Sequence, residues 1–422
     1  MPISTLLTIL NLAIAGLFFL CYFNQVLYVL IVWFKKMPPH KTEDAPVHRL
    51  AVLIAARNEE GVIGALIDSL REQDYPADRF DIFVCADNCT DGTARVAAVH
   101  GATVYERESK DERGKGYALD FLLRAIDRDL GEETYDAYVV FDADNTASKS
   151  YLTEINKTFS DGYEVVASYR NAKNYGDTPI SAGNGMWFLR DSHYLNGARM
   201  RIGASCFISG TGFLFSRRVK EQNGGWPFHL LTEDAEFTAH CALNGVRIGY
   251  CERAEFFDEQ PTSHKVSRNQ RIRWVKGGVQ VFRRYGKALF RGIFSRRFLT
   301  CYDLSMGMTP AYLISLFAVA ANTVCLAISL LTRTAIPETL AVIGALLGAC
   351  YFFVFLFGLV TTLSEWRRIH TSAFKKILYT FTFPLFMLSY IPVCIRAAFQ
   401  KAEWVSTPHK SREGDTQDLT SK

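Results

Sequence analysis

From Ile3 to Phe34 the chain carries no charged side chain, and Lys35 and Lys36 follow at once. About 20 apolar residues cross a bilayer as a helix, so this run is long enough to span even when tilted. A cleaved signal peptide would put its basic residues before a shorter apolar stretch, so the order here reads as a span. Three more apolar runs come late, at 306–331, 340–363 and 377–395. A buried helix of a soluble core is the competing reading of each. Between the last two, Glu365-Trp366-Arg367-Arg368 leads to Lys375-Lys376, a basic loop. Positive residues stay on the cytoplasmic side, so this loop and Lys35, Lys36 and Lys41 put the N-terminus outside and the intervening region inside. The tail after Arg396 also carries Lys and Arg, so the 377–395 run is either a last span or a partly re-entrant, interfacial segment.

The region between these runs has a different rhythm. Arg49-Leu50-Ala51-Val52-Leu53-Ile54-Ala55-Ala56 is nearly continuous apolar sequence, and a helical pattern follows at 62–73. The alternation repeats: a strand at 80–86, a helix at 91–99, a short strand at 102–105, a helix at 116–128 and a strand at 137–141. Strands apolar on both faces and spaced by single helices predict a mostly parallel sheet with right-handed crossovers. Ligands of such sheets sit beyond the carboxyl ends of the strands. The residues there are Arg57-Asn58-Glu59, Asp87-Asn88-Cys89-Thr90-Asp91 and Asp142-Ala143-Asp144. No GxGxxG follows the first strand and no GxxxxGK[ST] occurs, which argues against a dinucleotide oxidoreductase and a P-loop NTPase.

From 279 to 299 the pattern is mixed. Phe282, Leu289, Phe290 and Phe294 alternate with Arg283, Arg284, Lys287, Arg291, Arg296 and Arg297. A basic amphipathic helix of this kind lies in the membrane interface with its cations toward lipid phosphates; an ordinary solvated helix is the alternative. The expected organisation is therefore a span at 3–34, a cytoplasmic catalytic domain at 48–278, an interfacial helix at 279–300, a membrane region at 303–400 and a polar tail at 407–422.

Composition fits this mixture. A mean hydropathy of +0.04 over 422 residues is high for a soluble enzyme and low for a chain wholly in the membrane. A net charge of +4 gives no strongly basic face, so no nucleic-acid partner is expected. The ten cysteines include no CxxC pair, and they read as reduced packing residues.

Asp142 and Asp144 end a buried strand, where two carboxylates at i and i+2 can share a divalent cation completed by phosphate oxygens. Mg²⁺ or Mn²⁺ placed there would neutralise charge on a leaving diphosphate. Thr232-Glu233-Asp234 opens a helical pattern. A helix cap explains the acids structurally, and a general base explains them functionally. In Gln270-Arg271-Ile272-Arg273-Trp274, helical geometry puts Gln270, Arg273 and Trp274 on one face and turns Arg271 elsewhere. That face offers an amide, a guanidinium suited to phosphate and a flat ring suited to a sugar; an amphipathic helix with a snorkelling arginine is the plainer account.

Taken in order, IAARNEE, ADNCTDGT, DAD, TED and QRIRW resemble the membrane-integrated family 2 glycosyltransferases, the group of cellulose, chitin, hyaluronan and poly-N-acetylglucosamine synthases. The arrangement of spans is most similar to that of chitooligosaccharide synthases. The resemblance covers roughly 50–278 and implies an α/β, GT-A-type, Rossmann-like cytoplasmic domain with about four transmembrane helices. It implies that Glu59 and Asp87 hold the nucleoside, that Lys115 approaches the diphosphate, and that Asp142 and Asp144 meet the donor and its metal. Gly210, Thr211 and Gly212 would lie under the acceptor, with Asp234 as base beside Glu233. Gln270 and Arg273 would close over the diphosphate, and Trp274 would stack on the acceptor. The expected reaction inverts a UDP-sugar, UDP-N-acetylglucosamine or UDP-glucose, onto a growing β-linked glycan. The alternative is single addition to a membrane lipid, and a more remote one is a non-catalytic nucleotide-sugar sensor. Four spans are few for enclosing a polymer, so a homo-oligomer or a helper membrane protein is a further expectation. Departures from the family pattern are Ala86 before Asp87, Cys89 for a usual serine, and Arg57 where an aromatic is common.

Overall fold

The computed structural model describes residues 2–41, 44–308 and 310–399; the polar tail expected at 407–422 lies outside them. The chain opens with the long helix α1 (Ile3–Phe34) and then builds β1 (Leu50–Ala56), α2 (Ile63–Arg71), β2 (Phe80–Asp87), α3 (Thr93–Val99), β3 (Thr103–Arg107), α4 (Lys115–Leu130) and β4 (Ala137–Asp142). These strands form a parallel ladder in the order β3-β2-β1-β4. Their apolar runs serve two faces at once. Ala51 and Leu53 pack with Leu119, Leu122 and Ile126 of α4, while Val52 and Ile54 pack with Leu66, Ile67 and Leu70 of α2.

The second half of the sheet departs from the expected parallel order. It contains β5 (Thr146–Ala147), α5 (Tyr151–Ser160), β6 (Val165–Ala172), α6 (Pro179–Arg190), α7 (Gly197–Ile202), β7 (Phe213–Ser216), α8 (Arg217–Asn223), α9 (Glu233–Asn244) and β8 (Ile248–Asp258). Strand β7 runs antiparallel to both β4 and β6, and β5 is antiparallel to β8. Only β6 and β8 are parallel here, so the eight-stranded sheet is mixed. Between α6 and α7 the helix widens into a π turn at Asp191–Asn196.

The rest is helical: α10 (His264–Gly292), α11 (Phe298–Met308), α12 (Pro310–Thr332), α13 (Ile336–Ser364), α14 (Ala373–Leu388) and α15 (Tyr390–Phe399). Among the described residues four helical stretches are long and apolar enough to cross a membrane: 3–34, 310–332, 336–364 and 373–399.

Two expectations change. The basic stretch at 279–300 is no separate helix, because α10 runs unbroken through Gly277 and Gly278 to Gly292. Gly277 marks a close approach instead of a stop, since a Cβ there would sit 2.4 Å from Thr232. The last apolar run is broken at Ser389, and both halves lean on the catalytic domain. Tyr379, Phe383 and Phe386 of α14 join the core beneath the sheet, with Phe386 against Gly183 of α6. Val393, Cys394 and Ala397 of α15 pack on Ile272 and Val275 of α10. The same stretch, 373–399, is also among those long and apolar enough to cross a membrane. The ten cysteines are free.

Candidate active site

The carboxyl ends of β1, β2 and β4 turn over one cavity of about 1590 Å³. Asn58 and Asn88 make the first two turns in left-handed conformation (φ 56° and 53°), which asparagine tolerates better than most residues. Asn58 Oδ1 accepts the Thr90 amide at 2.8 Å, locking the two turns side by side. Glu59 and Asp87 are thereby aimed into the cavity. Arg107 (2.7 Å) and Asn88 (2.9 Å) both donate to Asp87 Oδ1, fixing its carboxylate.

Lys115 begins α4 and ties three motifs together. Its ammonium donates to Asp142 Oδ1 at 2.5 Å and to the Gly210 carbonyl at 2.8 Å, and lies 3.9 Å from Glu233 Oε1. Burial works against that charge, but the carboxylates of Asp142 and Glu233 hold Lys115 above the usual lysine range. Asn145 donates to Asp144 Oδ1 at 3.0 Å, orienting the second acid of the strand end.

Glu233 and Asp234 stand in the first turn of α9. The Thr232 side chain makes no capping bond and its hydroxyl is buried without a partner, so the threonine half of the capping account fails, while both acids do stand at the positive end of α9. Burial pushes Glu233 up to about 7, with Lys115 pulling it down and Asp234 and Asp142 adding to the rise. Burial raises Asp234 too, against the backbone amides of Ala235 and Gly210 that bond its carboxylate. A carboxylate held ready to take a proton near neutrality is what a general base requires.

On α10, Gln270, Arg273 and Trp274 all line the cavity, and Gln270 Oε1 is a buried acceptor without a protein partner. Arg271 points away, donating to Ser389 at 2.7 Å and lying over the Phe386 and Tyr390 rings, so it pins α10 to α14 and α15.

The cavity thus gathers Glu59, Asp87, Lys115, Asp142, Asp144, Gly210, Glu233, Asp234, Gln270, Arg273 and Trp274. Thr211 and Gly212, expected beneath the acceptor, are not in that lining. Thr211 accepts the Asp142 amide (2.8 Å) and donates to Asn145 (2.6 Å), so it braces the strand-end turn. Gly212, at φ 62°, leaves room for the Phe256 ring, 2.1 Å from where a Cβ would stand.

Sequence reasoning missed Arg170 and Asp191. Arg170 donates to Asp258 and to the Ser209 carbonyl (2.7 Å), and its guanidinium lies 3.5 Å over Phe188, which meets Trp274 edge to face. Its place at the end of β6, a strand parallel to β8, is the signal that could have found it. Asp191 enters the lining through the π turn, which leaves no mark in the residue pattern.

The family described as "Glycosyltransferase like family 2" matches residues 48–277. The chain is 28% identical to a β-monoglucosyldiacylglycerol synthase of Synechocystis sp. over 255 residues, 60% of this chain and 53% of that protein. It is 26% identical to a probable glycosyltransferase of Bacillus subtilis over 61% of both chains. A β-monoglucosyldiacylglycerol synthase of Nostoc sp. is 25% identical over 380 residues, 85% of this chain and 76% of that one. The chain therefore spans 53%, 61% and 76% of the length of these three relatives. A mannosyltransferase of Pyrobaculum calidifontis, solved with GDP-Man and Mn²⁺, shares the fold at a TM-score of 0.60 and 19% identity, covering 93% of this chain and 99% of that one.

Proposed function

The chain belongs to glycosyltransferase family 2, and from that premise we propose that it moves one hexosyl group from a nucleotide-diphosphate sugar to the hydroxyl of a membrane lipid, with inversion. The observation that carries this reading is the convergence of Lys115, Asp142, Glu233, Asp234, Gln270 and Arg273 on a cavity that continues from the strand ends in among the spans. The basic residues flanking the spans support a catalytic domain on the cytoplasmic face of the cell membrane.

Glu59 and Asp87 orient the nucleoside, UDP being the leading donor carrier with N-acetylglucosamine or glucose as the sugar. Lys115, Arg273 and the amide of Gln270 take the diphosphate. Asp142 and Asp144 line the cavity two residues apart, and among the described residues no group of three or more His, Cys, Asp or Glu could hold a metal ion. Two carboxylates suit Mg²⁺ or Mn²⁺ when phosphate oxygens complete the shell, so the residues fit an ion that arrives with the donor. When bound, that ion neutralises charge growing on the departing diphosphate.

Asp234 accepts the proton of the acceptor hydroxyl. The freed oxygen bonds to the anomeric carbon as the carbon–oxygen bond to the diphosphate breaks, and an α-linked donor becomes a β-glycoside. Lys115 lowers the cost of holding Glu233 and Asp234 charged together. Trp274, braced by Phe188 and Arg170, offers its ring to the acceptor end.

The relatives named as β-monoglucosyldiacylglycerol synthases support a lipid acceptor over the growing glycan that the motif resemblance puts first. The test is nucleoside-diphosphate release by the purified protein across a panel of nucleotide-sugars, with Mg²⁺, Mn²⁺ or EDTA and with or without lipid extract. Metal-dependent release with one donor, stimulated by lipid, is expected. Release with no donor under any condition would overturn the reading.

A further inference from the structure

The same cavity that holds the carboxylates extends between α1, α12 and α13, and there its character changes. Leu12, Phe18, Ile314, Val319, Leu346 and Phe353 are typical of its walls. Among the described residues no charged side chain from a span faces it. Asn322 does, but its amide is already committed to Asn11 (2.8 Å) and to the Ala318 carbonyl (2.8 Å). At about 1590 Å³ the whole space exceeds the range of roughly 300–1,000 Å³ usual for small-molecule pockets.

A ring of polar groups separates the two parts. Asp303 of α11 accepts from Asn24 and Tyr28 of α1 and from Arg199 Nε (3.0 Å), so it and Arg199 are mutually satisfied. Arg190 is buried, donates to Gln25 Oε1, and has the rings of Trp187 and Phe357 each 5.4 Å from its guanidinium carbon. The π turn sets Asp191 beside it, within the electrostatic reach of Arg170, Arg190 and Arg199. Arg170 has Asp258 and Arg199 has Asp303, which leaves Asp191 to balance Arg190. The ring has no surplus positive charge with which to hold a phosphate.

We infer that the hollow among α1, α12 and α13 receives the hydrocarbon chains of an uncharged lipid alcohol, while Arg190 and Asp191 hold the polar headgroup and present its hydroxyl to Asp234. The inference rests on the transferase reading above and names its acceptor. Hydrocarbon leaves the bilayer for such walls without losing a hydrogen bond. A glycan brings several hydroxyls per sugar, and burying each of them against apolar walls leaves it unpaired. The continuity of this hollow with the carboxylate site makes it a substrate chamber and not merely a gap between spans. A lipid lodged here reaches the base from the membrane side while the nucleotide enters from the strand ends.

The experiment is photolabelling of the full-length protein in lipid nanodiscs with a diacylglycerol carrying a diazirine and an alkyne in one acyl chain. Labels are mapped by peptide mass spectrometry. Crosslinks on the inward faces of α12 and α13, competed by unlabelled diacylglycerol, are expected. Labels confined to the outer faces, or competition by a β-linked oligosaccharide, would overturn the inference.

A second measurement guards against a misfolded variant. Ala318→Phe narrows the hollow and is expected to lower the ratio of kcat/KM for a long-chain over a short-chain diacylglycerol at least tenfold. Leu330→Phe, outside the cavity lining, should leave that ratio unchanged. An unchanged ratio in Ala318→Phe would also overturn the inference. Labelling needs no turnover, so the two claims fail separately. Transfer to diacylglycerol with only outer-face labels removes the chamber and keeps the transferase. Inner-face labels with no release from any donor do the reverse.

Discussion

The two ends of the cavity are built by opposite means. At the end proposed for the nucleotide, charged groups come from short contiguous motifs at strand ends and helix starts: Asp87, Lys115, Asp142, Asp144, Glu233 and Asp234. At the membrane end the walls come from spans more than 270 residues apart in the chain, such as Leu12 and Leu346, and each residue alone is an ordinary apolar side chain. Chemistry needs a particular functional group at a particular atom, so it concentrates in motifs. A hydrocarbon surface needs only shape, so it is spread over the sequence and appears only on packing. The contrast also bears on the product. A buried hydroxyl without a partner costs about 1–3 kcal/mol, a penalty a polymer would meet repeatedly at the membrane end and a lipid tail never.

Substitutions at the nucleotide end should therefore strike the chemical step, and those at the membrane end the choice of acceptor. The largest effect is expected for Asp234→Asn. Losing a general base costs about 10²–10⁴-fold in rate, so turnover should fall by that much while calorimetry finds UDP affinity little changed. Wild-type-like turnover would remove Asp234 from its role. Lys115→Ala comes next, with roughly a 10²-fold loss in kcat/KM, the order of one electrostatic contact to a developing charge.

That variant also sharpens the pH dependence. In the proposed mechanism transfer requires the Glu233–Asp234 pair to be deprotonated, and burial raises both acids, Glu233 to about 7. Activity should then drop below neutrality, by about tenfold per unit where one proton is taken up. The limb belongs to the pair and to neither acid alone. Lys115 is the cation that pulls Glu233 down, so Lys115→Ala should move the limb to higher pH. A limb left at the usual carboxylate range in the native protein would contradict this account of the site. The smallest effect is expected for Trp274→Ala, at the junction of the two ends. About tenfold loss of lipid transfer with little change in donor hydrolysis is anticipated, the order of the roughly 1.5–3 kcal/mol that burying one apolar side chain contributes. Equal loss of both activities would place Trp274 on the donor instead.

The same contrast governs how much was legible beforehand. The strands at 50–56, 80–87 and 137–142 stood out because burial on both faces demands unbroken apolar runs, and the site motifs follow them directly. The antiparallel insertion of β7 was hidden, because the four residues Phe213–Ser216 carry no period that distinguishes direction. Arg170 was hidden because its partner Asp258 lies 88 residues away. The separate helix expected from 279 failed for a local reason, as Gly277 is small to admit Thr232 and does not end α10. Thr211 and Gly212 sit inside a glycine-rich loop whose composition could not tell bracing from binding.

The most direct test of the account is the mass of the product. Purified protein in nanodiscs would be given its nucleotide-sugar, Mg²⁺ and diacylglycerol, and the reaction analysed by mass spectrometry. The account predicts a glycolipid one hexosyl unit heavier than the acceptor, formed in step with nucleoside-diphosphate release. A ladder of β-linked oligosaccharides without lipid attached would contradict it.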